Sequence, residues 1–341
     1  MSLLTGLVVS GPPSASRERA ELAATVRDLL TRHAPVPERV EDGPGGYDAD
    51  LWKRLRDLGL PWLGVPEAAG GVGGDYLDAH AVLVELGRAV VATPFPATLR
   101  AGQAALLAGA AVPDAGSAAL VEAPAERVLD GARAEVLLAV LETDDGAVLA
   151  ELDLDRVHRE VLPTMDRSLH LARVEARDAT ARPLGTLTAA DLDRLRALRV
   201  VALSAEQVGG ARRCLEVTVA YLRERVQFGR PVGSFQAVKH RLADLLVLVE
   251  AAESASWTAA AAWTAGAPDA GLLADVAGCV CGEAYLAVAA ETVQLHGGIA
   301  ITWEHPAHRW FKHAHATANL AGSPAAHRAR LADRLRTAVR S

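Results

Sequence analysis

Aromatic residues make up only 4% of the 341-residue chain, and it has just two methionines and three cysteines. With half of the residues hydrophobic, the core must be built mainly from Ala, Leu and Val, a composition that favours helices. Cys214, Cys279 and Cys281 are too few for a disulfide framework and lack metal-ligand spacing. They read as three buried thiols of a cytoplasmic protein. There is no basic excess either. A net charge of −7 argues against a general nucleic-acid binder, because nothing is left over to neutralise phosphates. The apolar run in Met1–Val9 has no basic region before it and no cleavage pattern after it. The apolar stretch Ala255–Ala289 is interrupted by Gly266, Pro268, Asp269, Asp275 and Glu283, so no membrane span is expected. The length suffices for a sizeable core and two or three domains.

The period of the apolar residues divides the chain. Ser14 or Ser16 can cap a helix with Leu22, Val26, Leu29 and Leu30 on one stripe. Gly43–Tyr47 reads as a loop, and Asp48 starts a second helix with Leu51, Trp52, Leu55 and Leu58 inward and Gly59 past its end. Pro61–Asp75 holds five glycines but neither the P-loop Lys nor GxGxxG spacing, so it reads as a connector. Asp78–Val91 and Ala97–Ala110 read as helices, making residues 1–115 an N-terminal helical domain. In residues 116–187 the pattern shortens. Ala134–Leu141, Ala147–Leu152 and Leu169–Ala176 read as strands of one small sheet. Residues 188–341 return to long helices: Ala189 to about Arg225, capped by Thr186 or Thr188; a second to about Ala265; Asp269–His296; a stretch from Trp303 with Pro306 in a first turn; and Ala325–Val339 after Pro324. Four long antiparallel helices make a bundle.

The stretch Tyr221–Leu246 is the most informative. Gly229, Pro231 and Gly233 break the helices on either side. The break gathers Arg223, Arg225, Arg230 and Lys239 around one turn, with Phe228 and Phe235 as apolar anchors. Four cations beside a helix start suit an anion site; a solvated basic turn between two helices is the other reading.

Arg225-Val226-Gln227-Phe228-Gly229, followed by Phe235-Gln236 and an apolar helix with Ala243-Asp244, resembles the R-x-Q/T-F-G signature of the acyl-CoA dehydrogenase family. Gln294-Leu295-His296-Gly297-Gly298-Ile299-Ala300 is similar to that family's Q-x-x-G-G-x-G turn, with Ala300 at its last glycine, and Leu51–Gly74 matches weakly. The resemblance implies a mainly α fold with a middle β-domain, here shortened, and FAD as cofactor. It places Arg225, Gln227, Phe228 and Gln236 on the pyrophosphate and adenine end of the flavin across a subunit boundary, and Gln294, Gly297 and Gly298 on its adenosine part. Guanidinium–phosphate pairing and close backbone approach at glycine suit those roles. Two departures matter. No Trp occurs between Ala118 and Leu187, and the family's T-E-P-x-A-G-S-D-like segment is missing, which puts an independent flavin-ring site in doubt.

The second departure concerns the catalytic base, a carboxylate that takes a proton beside the thioester carbonyl. The family's R-D-A and E-G-T/S places are held by Lys312-His313-Ala314 and Ala321-Gly322-Ser323, so Ala321 stands where the Glu belongs. The family's second location for the base falls on Arg199. Glu206, two helical turns on, is a weak candidate. His305, His308, His313 and His315 have H-x2-H and H-x-H spacing without an acidic or Cys partner; they read as surface histidines or contacts to a ligand's rim, with no metal site expected.

Together these features resemble the smaller subunit of heteromeric α2β2 acyl-CoA dehydrogenases of actinobacterial steroid side-chain breakdown. The implied role is an FAD-dependent dehydrogenase subunit that completes a flavin site. A larger acyl-CoA dehydrogenase-like partner supplies the base, and a bulky acyl-CoA is the substrate. A homomeric dehydrogenase using Glu206 or another carboxylate, and a flavin-free scaffold, stay open beside it.

Overall fold

The computed structural model describes residues 17–33, 46–123, 125–144, 146–176 and 180–340. Ser14, Ser16 and residues 43–45 lie outside them. Four helices come first: α1 (Arg17–His33), α2 (Ala49–Asp57), α3 (Tyr76–Ala89) and α4 (Phe95–Leu107). On α1, Val26 and Leu30 are buried as their stripe requires. Asp48 caps α2, its carboxylate accepting from the Asp50 and Leu51 amides. The third and fourth helices start two residues earlier than apolar spacing predicts and stop short of its ends. The reason is capping: Asp75 and Asp78 form a reciprocal capping box on α3, and Pro94 sits at the N-cap of α4. The glycine-rich connector folds back on itself through a Val65–Gly73 bridge. A Cβ on Gly71 would lie 2.1 Å from the Val65 carbonyl oxygen, so that glycine serves close backbone packing.

Among the described residues the middle stretch holds seven strands rather than three: β1 (Ala118–Val121), β2 (Val128–Leu129), β3 (Val136–Thr143), β4 (Gly146–Leu152), β5 (His158–Leu162), β6 (Leu171–Glu175) and β7 (Ala181–Leu187). They form two sheets, not one. The first runs β1-β3-β4-β7, with β1 parallel to β3 and the rest antiparallel; the second runs β2-β6-β5. β5 and β7 are hard to read from sequence because they lie at sheet edges, β5 sets Arg159 and Glu160 side by side, and β7 includes Pro183. A shift of register between Leu149 and Ala150 lets β7 pair with β4 past that proline.

The chain then forms α5 (Ala189–Glu224), α6 (Gln236–Thr264), α7 (Ala270–His296), α8 (Ala307–Thr317) and α9 (Pro324–Arg340). Thr188 caps α5 in a capping box with Asp191. α5, α6, α7 and α9 make the bundle, and α8 packs at the end of α7. α6 and the Ala270–Ile301 stretch are long and apolar enough to cross a membrane by length and composition, yet the latter is largely core. One hydrophobic core runs from Val26 on α1 through Leu120 and Leu149 of the first sheet to Ala284 on α7. Cys214, Cys279 and Cys281 are buried free thiols.

α3 crosses α5 with backbone close to backbone. A Cβ on Gly209 would lie 1.9 Å from the Val84 carbonyl oxygen, and one on Gly87 would lie 2.0 Å from that of Glu206. Backbone meets backbone at both points, so neither side can give way by turning a side chain. Gly209→Ala is expected to cost about 1–3 kcal/mol despite alanine's better helix propensity. Urea unfolding would read the loss, and an unchanged midpoint would show that the helices separate freely.

Candidate functional site

The turn between α5 and α6 is a two-residue β-hairpin. β8 (Val226–Gln227) pairs with β9 (Arg230–Pro231), and Phe228 and Gly229 fill the corner with φ of +51° and +73°. A phenylalanine in the left-handed region is uncommon, and this one is 92% exposed. Its ring stands edge-on to Phe235 at 6.2 Å, and the Arg230 guanidinium lies 3.9 Å from the Phe235 centroid. Arg225 is the C-cap of α5, while Gln236 opens α6 and lies 2.9 Å from the His240 ring nitrogen. Arg225, Gln227, Phe228 and Gln236 all face outward.

Gln294, Gly297 and Gly298 close α7 and are exposed too. Gly297 has φ +69° and ψ −148°, and nothing stands within 4 Å of where a Cβ on Gly297 or Gly298 would be. The ends of α5 and α7 meet: Tyr221 stacks on His296 at 4.4 Å, and its hydroxyl donates to the His296 carbonyl. Two segments some seventy residues apart in sequence thus share one end of the bundle. Open glycine backbone, amide side chains and a guanidinium suit a phosphate-bearing dinucleotide such as FAD.

A separate cavity of about 120 Å³ lies where α5 meets α3, α4 and the strands. Ala321, Arg199 and Glu206 line it together with Arg100, Glu122 and His313. Glu206 lies roughly 28 Å along α5 from Arg225, so cavity and hairpin are different places. Glu206, largely buried, is one of the groups that line this cavity. Burial pushes its carboxyl up to about 7, only partly offset by His313 and reinforced by Asp166 and Asp130. Arg100 donates to Glu122 at 2.6 Å, and Arg199 lies 4.0 Å from the same carboxylate.

His313 corrects the reading of these histidines as surface groups. It is buried, and its Nδ1 lies 2.6 Å from Asp166 Oδ2. Burial disfavours the imidazolium, but the Asp166 charge and hydrogen bond outweigh it and raise the His313 pKa; the same pairing lowers that of Asp166 against its own burial. The acidic partner was invisible in the spacing because it lies 147 residues away. The only available sign was position, since His313 stands at the Asp of the family's R-D-A. Arg100, Glu122 and Asp166 went unnoticed as well. A lone Arg inside the apolar Pro96–Leu107 stretch was the readable signal for the first. His305 lies before α8, so it shares no helix face with His308. Among the described residues no group of three or more His, Cys, Asp or Glu is placed to hold a metal.

Comparison with known proteins agrees with these motifs. Residues 16–130 match the acyl-CoA dehydrogenase N-terminal domain and residues 190–336 its C-terminal domain. An acyl-CoA dehydrogenase of Mycolicibacterium smegmatis, IpdE2, is 40% identical over 318 residues, 91% of this chain and 96% of that one. The chain belongs to the acyl-CoA dehydrogenase family. Members of this family are FAD-dependent oxidoreductases. Among solved structures, a variant of the Tcur3481-Tcur3483 steroid ACAD superposes with TM-score 0.85 at 32% identity, covering 95% of this chain and 99% of that one. The ChsE4-ChsE5 complex from Mycobacterium tuberculosis does so with TM-score 0.84 at 26% identity, covering 94% and 98%. Both descriptions name a pair of proteins.

Proposed function

We propose that this acyl-CoA dehydrogenase chain completes a flavin site in a heteromeric enzyme, while a larger partner supplies the base and holds a bulky acyl-CoA. The observation that carries this reading is the separation of the two sites. The residues suited to the dinucleotide face outward at the hairpin end, and the chain's own cavity, far along α5, has Ala321 where the family places its proton-accepting Glu. Alanine takes no proton. A bound flavin would supply the hydride acceptor; this chain's part would be to grip the phosphates with Arg225 and to present Gln227, Gln236, Gln294 and the Gly297–Gly298 backbone to the rest of the dinucleotide. The structures named for protein pairs support a steroid-type α2β2 assembly.

Surface chemistry supports the partner. Val226, Phe228, Ile299, Ile301 and Trp303 are exposed around the hairpin end, and Leu246, Val247 and Leu248 are exposed on α6. Large apolar side chains left exposed in this number suit an interface with another chain. The chain is therefore expected to be an obligate oligomer. Produced alone it should be colourless or weakly yellow and inactive; co-produced with its partner it should be yellow, active and tetrameric by light scattering. A stable monomer, or an active yellow protein without a partner, would contradict this. The homomeric alternative draws on one observation, the cavity-lining Glu206.

A further inference from the structure

A groove of about 310 Å³ lies among α1, α3, α5 and α6, and it shares no residue with the flavin motifs or with the cavity around Glu206. His80 of α3 lines it and is only 5% exposed. Burial and the nearby Arg19 charge push its imidazole down to about 4, so the ring is neutral and carries one N–H. The neighbours decide which nitrogen holds that proton. Ser204 donates to the Val201 carbonyl at 2.8 Å, which uses its one hydroxyl proton. Ser256, 2.8 Å from Ser204, then donates to it and accepts from Nε2 of His80 at 2.9 Å. Nδ1 is left as a bare lone pair, with no partner among the described residues. The charges leave acceptors over as well. Of the charged residues in the lining, Arg19 is held by Asp75 and Asp78, and Glu85 by Arg27 and Arg88. Glu250 and Glu253 share the one guanidinium of Arg212. Burial disfavours the Glu253 carboxylate; Arg212 offsets part of this, the Glu250 charge adds to it, and the pKa stays above the ordinary value. Ala20, Ala23, Ala81, Val84, Val208 and the half-buried Trp257 supply most of the remaining wall.

We infer that this groove binds a small organic ammonium ion, a primary amine on a short apolar body, with its N–H groups on His80 Nδ1 and the Glu250–Glu253 carboxylates. The spacing allows it. His80 meets α6 at Ser256 and Trp257, its ring 5.8 Å from the indole, and Glu253 stands one helical turn, about 5 Å, before them. One nitrogen between the two reaches both with ordinary hydrogen bonds. Every acceptor left over calls for a donor, and the second carboxylate calls for a positive charge. Water can meet a lone pair, but it brings no charge and leaves the alanine, valine and indole wall wet. At about twice the ~150 Å³ of a cavity that takes benzene, the groove has room for about ten non-hydrogen atoms. This site is independent of flavin binding at the hairpin.

The test is a calorimetric titration near pH 7 of the full chain, in complex with its partner, with 2-phenylethylamine, 2-phenylethanol and 3-phenylpropanoate. The amine is charged there, since alkylamines titrate near about 10. It is expected to saturate at one per copy of this chain. The alcohol, its neutral isostere, should bind at least roughly tenfold more weakly, and the carboxylate should not bind. Glu253→Gln and His80→Gln should each weaken the amine at least roughly tenfold, the loss of one charged hydrogen bond, with flavin content unchanged. His80→Gln breaks the serine chain and can cost folding. Glu253→Gln keeps the shape of the side chain and an acceptor for Arg212 at a position 26% exposed, so it keeps the test decisive. Absence of saturable amine binding by the wild type, equal affinity for the alcohol or the carboxylate, or undiminished binding in a folded Glu253→Gln chain would overturn the site.

Discussion

Replacing Arg225 by alanine is expected to weaken flavin binding by the assembled complex roughly 10- to 150-fold, because a charged hydrogen bond to phosphate is worth about 1.5–3 kcal/mol. The reasoning starts from the hairpin. Arg225 ends α5 with its backbone N–H tied to the Tyr221 carbonyl, so the position of its Cα is set by a helix rather than by a loop. The side chain is exposed and, among the described residues, makes no ion pair, so its loss uncovers no buried carboxylate there. Arg225→Lys should recover only part of the affinity, since an ammonium lacks the planar fork that grips two phosphate oxygens. The measurement is flavin content and flavin affinity of the co-purified complex, beside light scattering to show that it stays assembled. Unchanged affinity in an intact tetramer would favour the scaffold reading over the one proposed here.

The second large effect is expected at Glu206. An ordinary Glu titrates near 4.5, and this one is pushed to about 7. Between those values the unfolded chain has released its proton while the folded chain still holds it. Stability therefore falls as pH rises through that window and levels off above it. The full loss is about 3 kcal/mol. Glu206→Gln removes the titration, so at pH 8 the variant should be more stable than the wild type by an amount of that order, and near pH 5 the two should nearly coincide. Urea unfolding at both pH values checks the sign. A difference independent of pH would mean that Glu206 does not keep its proton in the folded chain. In the complex, turnover of the same variant should stay within roughly tenfold, because a general base is worth roughly 10²–10⁴. A loss of several hundredfold would put the base on this chain.

Much of this fold was legible because local rules and tertiary packing agree. Asp48 and Thr188 cap their helices and Pro324 opens α9 where their chemistry says they should, since a cap is satisfied within three residues of itself and a proline fits a first turn. Strands β1, β2, β5 and β7 were not legible. They are short or lie at sheet edges, and their backbone partners are set by distant segments: Ala118–Val121 pairs parallel with Val136–Ala139 across a connection no local pattern announces. Of the proposed flavin residues, only motif resemblance spoke, because an exposed Gln or Gly carries no burial pattern of its own.

The sequence by itself determined the family, the helical character and the absence of a carboxylate at position 321, because motif, propensity and residue identity are all local properties. It also determined that two motifs exist. Only the tertiary structure decided that they share one end of the bundle, through Tyr221 on His296. It alone decided that Glu206 lines the same cavity as Ala321, and that His313 is a buried ion-pair partner rather than a surface group. Those outcomes depend on which residues meet across 75 or more positions of chain, and on the loss of water when they do. Charge states and cavities are consequences of that meeting and have no counterpart in any single stretch of residues.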